Sequence, residues 1–103
     1  MGRQIVPAAW VSASVTPDAP HLKPGKNPLS STYFGYGYQW WIPPEPEGDF
    51  LAIGVYNQFI YVNPRRDIVI AKTSAHPSYT ADMDLSEYQT TAMFQKIARQ
   101  MGR

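Results

Sequence analysis

Two triplets in this chain carry the residue types of acyl-transfer chemistry. Tyr61-Val62-Asn63 sets a phenol and a carboxamide two positions apart, and Lys72-Thr73-Ser74 sets an ammonium beside two hydroxyls. A hydroxyl becomes a useful nucleophile only when a neighbouring base or cation activates it, so such groupings are the first places to look. Each has a simpler reading. Tyr61 lies among the apolar Ile60 and Val62 and runs into Pro64, as a strand packed in a sheet does, and Lys72 sits where an apolar strand ends. The nucleophile itself is missing. No serine is followed by lysine at the third position, and there is no Gly-x-Ser-x-Gly and no phosphate-cradling glycine loop. Gly35-Tyr36-Gly37 is too short for a dinucleotide fingerprint and falls inside a strand pattern. His21 and His76 are far apart and read as surface loop histidines, and without cysteine neither disulfides nor thiolate–zinc sites can form. No metal and no cofactor is expected.

The elements that would position these groups follow from periodicity. Residues 5–15 read as a short helix with Pro7 in its first turn, where a missing N–H costs nothing. Residues 16–32 hold Pro17, Pro20, Pro24, Gly25 and Pro28, a long irregular connection that a compact domain rarely keeps unless it works or packs against something. From Phe34 the pattern has period two: Phe34, Tyr36, Tyr38, Trp40 and Ile42 alternate with Gly35, Gly37, Gln39 and Trp41. This predicts one strand with an aromatic ladder, its glycines leaving room for another chain segment to approach. A proline loop at residues 43–48 ends it.

Three further strands are predicted near residues 49–54, 58–62 and 67–73. Tyr56-Asn57 links the first two, asparagine tolerating the left-handed conformation of such turns, and Asn63-Pro64-Arg65-Arg66 links the others. Ile68-Val69-Ile70-Ala71 is apolar on both faces and so predicts a strand covered on both sides. Asp84 with Glu87 forms a capping box for a C-terminal helix whose Met93, Phe94, Ile97, Ala98 and Met101 predict a core-facing stripe. The expectation is an α+β domain over residues 1–103: an antiparallel sheet of about four strands with a helix at each end of the chain, the C-terminal one lying across it.

Across residues 34–76 the ordered series GYGYQWWIP, then GDFLAIGVYNQFIYVNPRRDIVIAKTSAHP, resembles the C-terminal region of the β-lactamase-like (penicillin-recognising) serine hydrolases. The branch it is most similar to is the esterase and 6-aminohexanoate-dimer hydrolase-like one. Upstream VPAAWV and the terminal helix extend the likeness over nearly the whole chain, and the order of the series carries it rather than any single motif. In that family the Ser-x-x-Lys helix and the Tyr-x-Asn segment come from regions without counterpart here. What this part would contribute is a strand bordering the substrate cleft.

The resemblance places Ala52-Ile53-Gly54 on the family's Lys-Thr-Gly or His-x-Gly triplet, without its basic first residue. That loss argues against a β-lactam carboxylate and for an ester or amide substrate. It makes Ile53, Gly54, Val55 and Tyr56 the candidate cleft wall and the Val55 N–H a candidate oxyanion donor. Where the family has glycine before glutamine, this chain has Asn57 before Gln58.

Two functions follow as expectations. One is a serine hydrolase segment lacking its nucleophile, inactive alone and assembling with itself or with an N-terminal hydrolase part. The other is a stand-alone binding or assembly module that stacks a flat ligand on Tyr36, Tyr38, Trp40 and Trp41. Either way an exposed apolar sheet predicts a homodimer or higher oligomer, with exchange of N-terminal segments as one arrangement. The chain is 103 residues long with 44% hydrophobic and 17% charged residues, a globular balance. A formal net charge of +1, with basic residues scattered apart from Arg65-Arg66, gives a nucleic-acid partner no support. No apolar run is long enough to span a membrane and no signal peptide is evident, which leaves the compartment open.

Overall fold

A computed structural model describes residues 2–28, 32–44, 46–75, 77 and 83–103, the side chains of 83–85 excepted. Its strands form one antiparallel sheet in sequence order: β1 (Gly35–Tyr36), β2 (Trp41–Ile42), β3 (Phe50–Gly54), β4 (Gln58–Asn63) and β5 (Ile68–Lys72). Helix α1 (Ala8–Ser14) precedes the sheet and α2 (Met83–Met101) follows it, with a 3₁₀ turn at Pro20–Leu22 in the proline-rich connection. The α+β architecture is as expected, with five strands among the described residues in place of about four.

The extra strand comes from the aromatic segment. Residues 34–42 are not one strand but a small hairpin, with Gly35 opposite Ile42 and Tyr36 opposite Trp41. The chain reverses through Gln39 at φ 65°, and the Gly37 N–H donates to the Trp40 carbonyl at 2.9 Å. Alternation is compatible with strands on both sides of the reversal, which is why the sequence reads as continuous. The glycines do serve close approach. A Cβ on Gly37 would stand 2.1 Å from the Ser14 carbonyl oxygen, and one on Gly35 would stand 2.7 Å from that of Leu22. The end of α1 and the 3₁₀ turn thereby pack directly on the hairpin.

β3 and β4 pair from Phe50 opposite Val62 to Gly54 opposite Gln58. Tyr56 and Asn57 between them both take positive φ, 60° and 68°. In the second turn Asp67 is left-handed at φ 59°, and the Arg66 N–H donates to both the carbonyl and Oδ1 of Asn63. The pleat then sorts the side chains. Leu51, Ile53, Phe59, Tyr61, Ile68 and Ile70 share one face, and Phe50, Ala52, Ile60, Val62, Val69 and Ala71 share the other.

Helix α2 covers the first face. Phe94 meets the rings of Phe59 and Tyr61 at centroid distances of 5.8 and 5.5 Å, and Ala98 is fully buried beside them. The buried stripe of α2 is Thr90, Thr91, Phe94 and Ala98. Met93 and Met101 do not join it: Met93 lies a quarter-turn off the stripe, and both are exposed. The capping pair begins at Asp84, whose side chain lies outside the described residues. On the other face the expectation of two-sided cover fails, for Val69 is 70% exposed and Ile60 46%. Apolar character on both faces of β5 marks a surface suited to burial, not one that this chain buries.

Candidate functional site

The four residues assigned to the cleft wall are consecutive at the tip of the β3–β4 hairpin. Ile53 points under α2 and packs against the core, while Gly54, Val55 and Tyr56 are exposed. Gln58 fixes this tip. Its Nε2 donates to the carbonyls of Tyr56 and Ser74, and its Oε1 accepts from the Ser74 N–H. The carboxamide thus continues the ladder beyond β5 as a backbone amide would. Asn57 also does more than adopt the turn conformation. It is buried, its Oδ1 meets the Ser86 hydroxyl of α2, and its carbonyl accepts from Lys72 Nζ at 3.3 Å. The hairpin tip is therefore held in one position relative to α2 and β5, as a wall that presents a backbone donor must be.

The side chains that make the two triplets look catalytic are engaged in contacts within the fold. Lys72 is spent on the Asn57 carbonyl and lies over the Phe59 ring, 5.5 Å from its centroid. Tyr61 and Asn63 do meet, Asn63 Nδ2 donating to the Tyr61 hydroxyl at 3.1 Å, but both are completely buried. Burial, with Asp49 as the acceptor of its proton, pushes the Tyr61 phenol upward in pKa, the opposite of what a phenolic base needs.

These two residues belong to a buried polar network invisible in any local spacing. The Tyr61 hydroxyl donates to Asp49 Oδ2 at 2.8 Å, which also accepts from Gln95 Nε2 of α2 at 3.1 Å. Asp49 Oδ1 accepts the Glu47 N–H, and Asn63 Nδ2 donates to Glu47 Oε1. Arg66 closes the set with a two-pronged pair on Glu47, at 2.9 and 3.1 Å. That guanidinium, helped by the Asn63 amide, holds the Glu47 carboxyl down at a pKa of about 2. Arg66 also donates to the Arg103 carbonyl, and its own carbonyl accepts the Arg103 N–H. The network ties β3, β4, the β4–β5 turn and the end of α2 together. Its Asp49, Tyr61 and Asn63 end is buried while the Glu47–Arg66 pair is partly exposed, and these groups are engaged with one another, so its chemistry is structural.

The proposed aromatic platform is divided. Tyr36 meets Trp41 at 4.5 Å with the rings tilted by 60°, next to Phe34, on the side of α2. Trp40 turns to Phe50 at 5.0 Å, and Tyr38 pairs with Trp10 of α1 at 5.2 Å. The hairpin reversal separates these side chains into three contacts, so they offer no single flat surface.

His21 is exposed in the 3₁₀ turn, and His76 lies outside the described residues. Among the described residues no cluster of three or more His, Cys, Asp or Glu is placed to hold a metal ion, and no helix is long and apolar enough to cross a membrane. No protein-family model matches the sequence, and no curated protein matches it.

Proposed function

We propose that this chain is the sheet-and-helix part of a β-lactamase-like serine hydrolase, and that it turns over substrate only when joined by a part carrying the Ser-x-x-Lys nucleophile. The observation that supports this reading best is the half-covered sheet. Helix α2 seals one face, whereas Ala52, Ile60 and Ala71 line a shallow hollow of about 450 Å³ with Lys72 and Thr73 also in its lining, and Val69 is exposed on the same face as Ala71. An antiparallel sheet whose second face is also apolar is built to be a middle layer. Covering Ile60 and Val69 would contribute about 1–2 kcal/mol each.

The hairpin tip supports the same reading. Gly54 and Gln58 border that hollow and Val55 follows immediately, so a nucleophile seated on the open face would meet the wall Ile53–Tyr56 at its edge. In that arrangement the Val55 N–H serves the developing oxyanion, a role set by backbone position and indifferent to the valine side chain. With no basic residue at Ala52, the substrate is a neutral ester or amide. The same apolar face drives self-association when the nucleophile-bearing part is absent.

The test is hydrolysis of p-nitrophenyl esters and nitrocefin by the purified chain. No turnover above buffer is expected. Clear turnover abolished by a serine-directed fluorophosphonate would sink the reading.

A further inference from the structure

We propose that the proline-rich connection walls a binding pocket for a small apolar carboxylate, with the Lys23 ammonium taking the acid group. The pocket has a volume of about 570 Å³ and lies between the exit of α1, the segment after the 3₁₀ turn and the start of β3. That volume is in the range of small-molecule sites, about 300–1,000 Å³. Val15, Pro17, Pro24, Ile42 and Pro46 give it apolar walls. Three of these are prolines, whose fixed φ leaves little backbone freedom to lose when a ligand orders the site.

Charge decides the ligand class. Among the described residues two ionisable ones belong to the lining, Lys23 and Asp49. Asp49 is 1% exposed, its Oδ1 accepts from Glu47 and its Oδ2 accepts from both Tyr61 and Gln95, so it offers a ligand nothing. Lys23 is exposed and, among the described residues, its ammonium makes no ion pair. A lysine without an ion pair in an otherwise apolar lining selects an amphiphile with a single negative charge: a medium-chain alkyl or an aryl carboxylate. A polyanion would find no second cation among the described lining residues, and a neutral apolar molecule would leave the ammonium unused. The site is separate from the hairpin tip and does not depend on the hydrolase reading. It also gives residues 16–32 the work that so long an irregular segment requires.

The test titrates octanoate, octanol and octylammonium into ¹⁵N-labelled protein and follows the amide signals of Thr16, Lys23, Gly48 and Asp49. Octanoate is expected to shift these signals saturably and to bind about fivefold more tightly than octanol, the worth of one exposed ion pair. Lys23→Met should erase that preference while octanol binding stays, and Lys23→Glu should transfer it to octylammonium. Lys23 is exposed, so both variants keep the fold, which unchanged tryptophan emission checks. Equal affinity for octanoate and octanol, a preference that survives Lys23→Met, shifts confined to other residues, or no saturable shift at all would each overturn the proposal.

Discussion

The Tyr61 hydroxyl and the Asp49 carboxylate meet across 2.8 Å in a place that neither shares with solvent. That contact fixes β4 to the start of β3, and Gln95 brings α2 onto the same oxygen. Tyr61→Phe leaves Oδ2 with one donor and a buried carboxylate short of a partner. A loss of about 1–3 kcal/mol in urea unfolding is expected. Combined with Asp49→Asn in a double-mutant cycle, the two losses should be less than additive.

Acid should destabilise the fold through Glu47. Its carboxyl falls from an ordinary value of 4.5 to about 2, chiefly by bonding to Arg66 and next by bonding to Asn63. A group depressed on folding contributes stability fully above its unfolded pKa and loses it as pH falls towards the folded value. Unfolding midpoints should therefore drop between about pH 5 and pH 2. Glu47→Gln should flatten that portion of the curve; an unchanged acid slope would remove Glu47 from the account.

Base should act through Tyr61. Its raised pKa keeps the buried phenol neutral when ordinary tyrosines ionise near 10. The sign here gives stability that is complete below pH 10 and is lost as pH rises above it. Absorbance titration should show one tyrosine missing from the ordinary ionisation until the protein unfolds, and Tyr61→Phe should abolish that late step.

Backbone contact at the hairpin sets a sharp contrast between two glycines. Gly37→Ala drives its Cβ to 2.1 Å from the Ser14 carbonyl oxygen, and a loss of about 3 kcal/mol or more is expected. Gly54→Ala meets the Gln58 Cβ at an ordinary 3.4 Å and should change stability by less than about 1 kcal/mol. Chemical unfolding of the two variants side by side checks the contrast.

The open sheet face should govern association. In sedimentation at micromolar concentration the chain is expected to run as a dimer or larger, and Val69→Lys should return it to monomer. Val69 is largely exposed, so its replacement should alter the stability of that monomer by no more than about 0.5 kcal/mol. A wild-type monomer would contradict the expectation directly.

Much of this architecture is legible in the sequence for definite reasons. Strands β3 to β5 were readable because alternation and turn residues agree, Asn57 and the Pro64 turn both falling where the chain reverses. The aromatic segment misleads because a hairpin of two-residue strands preserves the period of one long strand, and the reversal takes its positive φ at Gln39, with no glycine there to mark it. In the candidate wall, Gly54 to Tyr56 are exposed together, and nothing local announces that Gln58 and Asn57 hold them. The polar network was wholly hidden. Its members come from residues 47 to 49, 61 to 66 and 95, and only the folded sheet makes them neighbours. Two-sided apolarity in β5 was visible, yet what covers a face is not encoded in the face itself.

The most direct measurement mixes the chain with a nucleophile-bearing hydrolase part that contains a Ser-x-x-Lys helix and follows ester hydrolysis together with fluorophosphonate labelling. No turnover and no label are expected on either part alone. On mixing, turnover and a single adduct on the serine of the added part are expected, both lost with Val69→Lys in this chain. Hydrolysis by the unmixed chain, with an adduct on one of its own serines, would contradict the proposed function.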